Sequence, residues 1–241
     1  MDKPTAKTIS VSKSKKKPPT YHQQKVLNLC ESTISNVLSF PLAKYYSGTY
    51  LSLCKAQKNI TSAGLMEFLE ELGISGEIAK HYFHEVHVYN KKTREKLRTL
   101  GFPNEDDGFE LISPFFKGTV GTQTISFMRG TIPKPESLHI FPDSLDFLAF
   151  LSKLGGKKII ADTIILHSMT CLEQIKPYLQ NYGYKQVYSW MTNDEAGLES
   201  KRFIQNLVKS EEGLSHKKMN NLYKPFKNVL TWYVQRIHKG R

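Results

Sequence analysis

Cysteine is scarce in this sequence, and its positions do not suggest pairing. The three cysteines, Cys30, Cys54 and Cys171, are odd in number and far apart in the chain. This argues against a disulfide framework and suits a reducing, cytoplasmic compartment. No Cys-x-x-Cys pair and no Cys/His spacing typical of a zinc site occurs, so we expect no zinc cofactor.

Long apolar runs are also lacking. No stretch approaches the roughly 18 consecutive apolar residues that span a bilayer, so we expect no membrane partner. The opening stretch MDKPTAKTISVSKSKKKPP has lysines without an apolar segment behind them, which is not the pattern of a secretory signal. With 241 residues, 39% of them hydrophobic, the chain can bury a core in one or two domains.

Acidic residues are nearly absent from the two ends of the chain. Residues 1–19 carry six lysines and one aspartate, and residues 215–241 carry seven lysines or arginines and no acid. These ends account for the whole formal charge of +12, so the middle is balanced. Basic ends favour a polyanion, of which nucleic acid is the commonest, although residues 1–19 fit a solubilising tail equally well. Aromatic residues interleave with the C-terminal lysines, which favours a folded element that contacts nucleic acid: Tyr223, Phe226, Trp232 and Tyr233.

The N-terminal half has helical and then strand-like patterns. Residues 21–58 predict two helices broken at Ser-Phe-Pro, and TSAGLMEFLEELG predicts a helix capped by Thr61 or Ser62. ISGEIAKHYF predicts a further helix that begins after Ser75. Period-two alternation then predicts a small antiparallel sheet from HEVHVYN, KLRTLGF, FELI and TQTISFM.

Strands and helices alternate in the C-terminal half. SLHIF, TIILH and KQVYSWM predict strands, followed by helices at about 143–153, 170–182 and 195–209. Three such units predict a parallel sheet with right-handed crossovers, which places the chain in the α/β class. A basic aromatic helix is predicted at about 222–237. The predicted organisation has four parts: a disordered tail (1–19), a helical and antiparallel subdomain (20–130), the parallel domain (131–210) and a basic C-terminal helix (211–241).

Carboxylates occur at two of the predicted strand-to-helix junctions. HIFPDSLDFLAF places Asp143 and Asp146 after one strand, and YSWMTNDEAG places Asp194 and Glu195 after another. Ligands of parallel sheets bind at the carboxyl ends of the strands. Carboxylates gathered there could share a Mg²⁺, which serves phosphoryl-transfer chemistry. The alternative for each residue is a helix cap that complements the helix dipole.

In order and spacing, these stretches resemble the Toprim domain of primase-like proteins, in particular those of bacterial mobilisable and conjugative elements. The resemblance rests on IFPDSLDFLAFL, TIILHSMTCLEQIKPYL and VYSWMTNDEAG, preceded by LMEFLEELGISGEIAKHYFHEVHV and LGFPNEDDGFELISPFFKGTVG and closed by MNNLYKPFKNVLTWY. It covers about residues 62–235. It implies a Toprim-like parallel sheet with flanking helices, preceded by a small primase-like α+β subdomain, and a Mg²⁺-dependent role in DNA priming or replication.

The sequence departs from this family at its catalytic positions. The family's general acid/base glutamate falls on Pro142, and the first aspartate of its metal-binding pair falls on Thr192. Proline has neither charge nor proton, and threonine offers only a neutral hydroxyl, so the sequence predicts a degenerate, weak Mg²⁺ site. Two further family residues are replaced by Ile112 and Asn228. Positions that match the motifs are Lys117, Asp146, Asn193, Asp194, Ala196 and Gly197.

Candidate site residues follow from the motifs and from the charge pattern. Asp146 and Asp194 are the metal-ligand candidates, with Asp143 and Glu195 as weaker ones, and no residue is assigned a catalytic role. Candidate nucleic-acid ligands, each of which could instead be a solvated surface residue, are Lys117, Lys153, Lys157, Lys158, Lys217, Lys218, Lys224 and Lys227. Residues expected in the core are Phe115, Phe116 and Phe127, while His139, His167 and His216 are expected in core or surface roles without a ligand.

Three functional hypotheses remain open from the sequence. The first is a primase-like protein of a mobile element that binds single-stranded or duplex DNA without strong catalysis, alongside a relaxase, helicase or other replication protein. The second is an active Mg²⁺-dependent primase or Toprim nuclease with a rearranged set of carboxylates. The third is an accessory module that binds protein and not nucleic acid.

Overall fold

The first of two β-sheets is antiparallel throughout. A computed structural model of the protein describes residues 50–239, so the predicted basic tail and residues 21–49 lie outside the described part. This sheet contains β1 (Leu51–Gln57), β2 (His84–Asn90), β3 (Glu95–Pro103), β4 (Phe109–Ile112) and β5 (Lys117–Val120) in chain order. The strands predicted from HEVHVYN, KLRTLGF and FELI are therefore confirmed. The stretch KGTV, which is not among the predicted strands, forms strand β5.

Two short helices lie between β1 and β2. Helix α1 (Ala63–Glu71) begins after Ser62, and α2 (Gly76–Tyr82) begins after Ser75, whose hydroxyl accepts the Ile78 N–H at 3.3 Å. Gly73, which follows α1, has a φ of +71°, where a side chain is strained. An added Cβ there would also lie 2.4 Å from the Ile237 side chain, so glycine is required at this turn. Both helices form where the sequence predicts them.

Residues 51–57 correct one prediction. They form the edge strand β1, whereas the apolar spacing of residues 21–58 predicted a helix. The strand pairs with β2 along its whole length, from Leu51 opposite Asn90 to Gln57 opposite Glu85. Backbone pairing with a strand 28 or more residues away outweighs the weak local periodicity of this segment.

The second sheet is mainly parallel. It contains β6 (Ser126–Met128), β7 (Ser137–Phe141), β8 (Asp162–Ile165), β9 (Gln186–Ser189) and β10 (Ser215–Lys218) in the order β10-β9-β7-β8-β6. Strands β7, β8, β9 and β10 run parallel, and β6 is antiparallel to β8. The period-two alternation of TQTISFM predicts that β6 belongs to the antiparallel sheet, but this strand pairs with β8 of the second sheet. Strand β10 was not predicted, because its exposed Ser-His-Lys-Lys sequence has no apolar alternation.

Helices connect the parallel strands. They are α3 (Ser144–Leu154), a 3₁₀ helix (Met169–Ile175) continued by α4 (Lys176–Asn181), α5 (Glu195–Lys209), a second 3₁₀ helix (Asn220–Tyr223) and α6 (Val229–Lys239). The helices predicted after SLHIF and KQVYSWM are confirmed. The single helix predicted at about 170–182 is divided, and Pro177 lies in the first turn of α4, where its missing N–H is tolerated. The final α-helix begins at Val229, later than predicted, after Asn228 accepts the Thr231 N–H as its cap.

One hydrophobic core joins the two sheets. Its buried residues come mainly from α1, α2, β3, β7, α3 and α6. Within it the rings of Phe141 and Trp190 stack with their centres 5.4 Å apart and their planes nearly parallel. Phe141 is completely buried, so truncating it to alanine would cost about 3–5 kcal/mol. Within residues 50–239, none of the helices has the length and apolar character needed to cross a membrane.

His139 on β7 illustrates how this core sets the protonation of a side chain. The Trp190 indole N–H donates to Nδ1 of His139 at 3.1 Å, which requires this nitrogen to be unprotonated. Burial lowers the pKa of His139 from 6.5 to about 4. The imidazole is therefore neutral at pH 7.

We predict that His139 makes the fold less stable in acid. Below pH 6.5 the unfolded state binds a proton at this position, whereas the folded state does so only near pH 4. The free energy of unfolding should therefore fall by up to about 3 kcal/mol on this account as pH drops from 6.5 to 4. Denaturant titrations at pH 7 and pH 4.5 should show a smaller loss for His139→Asn than for wild type. The variant of an exposed histidine, His81→Asn, should keep most of the wild-type loss, and an imidazole NMR titration of His139 with a midpoint near 6.5 would contradict the prediction.

Candidate functional site

The hairpin of β4 and β5 contacts the carboxyl ends of two parallel strands. Glu110 lies on β4 and Lys117 begins β5, while Asp143 follows β7 and His167 follows β8. These side chains contact one another although they come from four segments of the chain. Together with Asp146 on α3 we call them the charge network. It lies where open α/β sheets bind their ligands.

Lys117 is the central cation of the charge network. Its Nζ lies 2.7 Å from Oε1 of Glu110 and 3.1 Å from Oδ2 of Asp143. Burial opposes the charge on Lys117, but Asp143 and Glu110 outweigh it and raise the pKa of the ammonium. Burial also opposes ionisation of Glu110, yet the charges of Lys117 and His167 hold its pKa well below the usual range. The lysine is therefore a fixed internal counterion.

His167 is the second cation, as its hydrogen bonds indicate. Its Nδ1 lies 2.7 Å from Oε2 of Glu110, and its Nε2 lies 2.6 Å from the hydroxyl of Ser126. That hydroxyl also lies 2.7 Å from the carbonyl oxygen of Pro103, which can only accept. Ser126 has one O–H to donate, and Pro103 takes it, so Nε2 must donate to Ser126 and Nδ1 to Glu110. Both nitrogens then carry protons, and the ring is positively charged.

This proton assignment excludes a nucleophilic role for Ser126. The order Ser126, His167, Glu110 resembles a catalytic triad, but in a triad the serine gives its proton to a neutral histidine. Here the histidine already donates to the serine, and Ser126 is 5% exposed. The neighbouring Ser168, which the sequence placed beside His167, hydrogen bonds with Thr170 and does not pair with that ring.

Asp146 is the one carboxyl group of the charge network that is held neutral. It is completely buried, and its Oδ1 accepts the Leu230 N–H at 2.8 Å, while its Oδ2 has no hydrogen-bond partner. Burial, reinforced by the nearby charge of Asp143, raises the pKa of Asp146 well above the ordinary value. With Asp146 protonated, the anions Glu110 and Asp143 balance the cations Lys117 and His167. The charge network is therefore neutral, as burial of several ionisable groups requires.

The second junction, after β9, also has its carboxylate occupied. Oδ1 of Asp194 accepts the Gly197 N–H at 3.1 Å and the hydroxyl of Thr192, and Oδ2 lies 3.0 Å from Nζ of Lys227. Burial opposes this charge, but the hydrogen bonds of Thr192, Lys227 and Gly197 lower the pKa of Asp194. An added Cβ on Gly197 would lie 2.0 Å from the Thr192 carbonyl oxygen, so this tight junction requires glycine.

These carboxylates do not fit a magnesium ion. Both oxygens of Asp143 accept bonds, from the Asp146 N–H and from Lys117, and both oxygens of Asp194 are likewise bound. Burial and the nearby charge of Asp143 raise the pKa of Asp146 and so disfavour a charge there, and Glu195 is exposed in the first turn of α5. Among residues 50–239, no three or more His, Cys, Asp or Glu side chains are grouped so that they could hold a metal. For Asp143 and Asp194 the alternative role predicted from the sequence, helix capping, is the one observed.

The eight lysines predicted to bind nucleic acid do not form one surface. Lys153, Lys157 and Lys158 lie at or beyond the end of α3, near the amino end of the parallel strands, and Lys157 pairs with Glu77 at 3.1 Å. Lys117 belongs to the charge network. The remaining four lie on β10 and on the segment before α6, beside the carboxyl end of β9: Lys217, Lys218, Lys224 and Lys227.

The phenylalanines of the hairpin correct another prediction. Phe116 is buried as expected, but Phe115 is 84% exposed at the hairpin loop. The Ser113 hydroxyl accepts the N–H groups of both residues, at 3.2 and 3.1 Å, and fixes the loop in this conformation. Adjacent residues of this turn point in different directions, so only one of the two rings can enter the core. Phe127 is partly buried against Tyr178.

Sequence reasoning missed Glu110, the anion that contacts both cations. An acidic residue inside the apolar strand FELI is a sign that Glu110 has a buried partner. The strand alone does not show that the partners are Lys117 and His167. Lys201 on α5, which is 4% exposed, was also missed because it lies in a stretch rich in charged residues. For both residues, burial of a charged side chain is the informative feature.

Comparisons with known proteins support a primase-like fold. A family model described as "Domain of unknown function (DUF8464)" matches residues 54–121, from the middle of β1 to just beyond the end of β5, and no curated protein matches the chain. The primase fragment of the bacteriophage T7 primase-helicase protein is similar in structure, with a TM-score of 0.51 at 12% identity over 71% of this chain and 70% of the fragment. The second structure is a complex of the bacteriophage T7 lagging-strand DNA polymerase with primase domains bound to an RNA/DNA hybrid and dTTP. It has a TM-score of 0.43 at 12% identity, over 71% and 88% of the two chains, and this score is too low to support an argument.

We predict that Lys117→Met destabilises the protein strongly. The substitution keeps the length of the side chain but leaves the buried Glu110 and the partly exposed Asp143 without their shared cation. Leaving a buried carboxylate such as Glu110 without this partner costs about 3–5 kcal/mol. Denaturant unfolding at pH 7 measures the loss. The matched control Lys96→Met, at an exposed position on β3, should change stability by less than about 0.5 kcal/mol. Equal effects of the two substitutions would refute the assignment of Lys117 as a buried counterion.

Proposed function

We propose that the protein is a primase-like Toprim protein of a bacterial mobile element that binds DNA and acts in replication or mobilisation without metal-dependent catalysis. The observation that carries the proposal is that both carboxylate oxygens of Asp194, a metal-ligand candidate, are already bonded within the chain, to Thr192, Gly197 and Lys227. A lysine therefore pairs with the carboxylate on which an exchangeable metal would depend. The Toprim assignment rests on the sequence motifs, and the primase-like fold supports it.

The replaced residues support the loss of catalysis. Pro142 offers no proton to transfer, and the Thr192 hydroxyl is used in a hydrogen bond to Asp194. Divalent cations need anionic oxygens, and a well-ligated metal contributes several kcal/mol that neutral or already bonded groups do not supply. The neutral balance of the charge network also leaves no net negative charge to attract Mg²⁺. These features favour binding over an active primase or nuclease.

The distribution of basic residues supports nucleic acid as the ligand. Residues 215–241 carry seven basic and no acidic side chains, and lysines of β10 and of the segment before α6 lie at the ligand-binding end of the parallel sheet. Aromatic side chains accompany them: the ammonium of Lys217 lies 6.0 Å from the ring centre of Tyr188, and the guanidinium of Arg236 lies 5.1 Å from that of Trp232. Both rings are partly exposed, and cations beside accessible aromatic rings are typical of surfaces that bind single strands. A relaxase, helicase or other replication protein would be its partner at the DNA.

We predict that the protein neither binds Mg²⁺ or Mn²⁺ tightly nor turns over nucleotides. Calorimetric titration with each ion should give no saturable heat at micromolar concentrations, and assays of nucleotide polymerisation and DNA nicking should stay at background. Asp194→Ala and the exposed control Asp106→Ala should behave alike in these assays. Robust metal-dependent turnover that is lost in Asp194→Ala and kept in Asp106→Ala would overturn the proposal in favour of an active enzyme.

We predict that DNA binding weakens steeply with salt. The logarithm of the association constant should fall linearly with the logarithm of salt concentration, with a slope of about 0.7 to 0.9 for each phosphate contacted. Fluorescence anisotropy with labelled single-stranded and duplex oligonucleotides at several salt concentrations measures this slope and shows which form binds more tightly. An absence of binding at low salt, or a flat dependence, would favour the protein-interaction module instead.

A further inference from the structure

Lys201 is a buried ammonium group without a carboxylate partner. It lies on α5 and is 4% exposed, and its Nζ donates to the backbone carbonyl of Thr192 at 3.2 Å. Within the part of the chain that the structure describes, it takes part in no salt bridge. An ammonium has three N–H groups, so two remain for another acceptor. Burying such a cation is costly unless an anion accompanies it.

Two further lysines belong to the same end of the sheet. Lys218 reaches over α5, where its Nζ lies 2.6 Å from Oε1 of Gln205, one helical turn after Lys201. Lys224 lies in the segment before α6, whose backbone carbonyl groups accept hydrogen bonds from the Asn193 side chain at the junction after β9. Burial lowers the pKa of Lys201, and the positive charges of Lys224 and Lys218 lower it further. We call the three of them the lysine cluster.

Asp194 does not neutralise the lysine cluster. Its charge acts on Lys201, but its oxygens are already bonded to Thr192, Gly197 and Lys227, and Lys227 balances its charge. The lysine cluster therefore keeps an excess of positive charge. A bound anion with several acceptor oxygens would remove it.

The position of the lysine cluster matches that of a ligand site. Lys218 ends β10 and lies in register with Ser189 at the end of β9, so the cluster is at the carboxyl end of these parallel strands. The Thr192 carbonyl, which Lys201 contacts, belongs to the junction that follows β9. Parallel sheets bind ligands at this edge.

We propose that Lys201, Lys218 and Lys224 form a phosphate-binding site. A phosphate group has several strong acceptor oxygens and at least one negative charge, so it can accept from three ammonium groups at once. The identification of the bound group as a phosphate of the DNA backbone rests on the proposed function. A free phosphate compound is the other source of the same chemistry, and the experiment separates the two.

The first arm of the experiment measures how DNA binding by the full chain depends on salt. The double variant Lys218→Gln/Lys224→Gln, which changes exposed residues, should reduce the salt slope by about 0.7 to 0.9, since the lysine cluster contacts a single phosphate. Each single variant should weaken DNA binding at least twofold. Lys209→Gln is the matched control. It removes the same charge from an exposed position at the C-terminal end of α5, whereas the junction after β9 lies at the N-terminal end of this helix. Lys201→Met keeps the buried stem and should weaken binding at least tenfold, with its melting temperature measured in parallel.

The second arm titrates pyrophosphate into each protein by calorimetry and follows the side-chain NMR signals of lysine. We expect saturable binding to wild type and to Lys209→Gln that is weakened at least fivefold in Lys218→Gln and Lys224→Gln. If the variants bind DNA with the same salt slope as wild type, and wild type does not bind pyrophosphate, the phosphate site is overturned and the proposed function stands. Pyrophosphate binding that depends on the lysine cluster, without any DNA binding, would keep the site and overturn the proposed function. Failure of both arms would overturn both.

Discussion

The ion pair of Lys117 with Glu110 and Asp143 is the interaction on which the rest of this end of the molecule depends. It ties the β4–β5 hairpin to the first residues of α3, and through Glu110 and His167 it ties the same hairpin to the end of β8. A buried charge without a partner costs several kcal/mol, so the arrangement of these side chains is stable only when their charges balance. The raised pKa of Asp146 is part of that balance, because an ionised Asp146 would be a third anion in the charge network, which has only two cations.

A lysine and a bound metal can each neutralise carboxylates that lie close together, but they do so in different ways. Both neutralise carboxylates at the edge of a parallel sheet, but the ammonium is covalently attached, has three directed N–H donors and does not coordinate a substrate oxygen as a Lewis acid. A lysine also pairs with the carboxylate at the second junction, where Lys227 lies 3.0 Å from Asp194. The chain itself therefore neutralises a carboxylate at each junction. The proposed binding of a polyanion without turnover agrees with these ion pairs and with the basic residues of the surface.

Local patterns predicted most of the regular elements. Helices α1, α2, α3 and α5 and strands β2 to β4 and β7 to β9 form where amphipathic spacing, caps and glycine stops indicate them. The errors fall where tertiary contacts outweigh local preference. Residues 51–57 become a strand because β2 offers an edge, and Ser126–Met128 joins β8 in place of its sequence neighbours. Phe115 is exposed because the turn fixed by Ser113 admits only Phe116 to the core.

The sequence by itself determined that Pro142 and Thr192 bring no ionisable oxygen to the two junctions, since neither side chain has one in any conformation. It also determined the basic character of residues 215–241. Only the tertiary structure decided that Glu110 meets His167, 57 positions later, and that Lys201 is buried beside the end of β9. The physical reason is that a charge pair depends on distance in space and on burial, and neither is encoded in the local periodicity from which strands and helices are predicted.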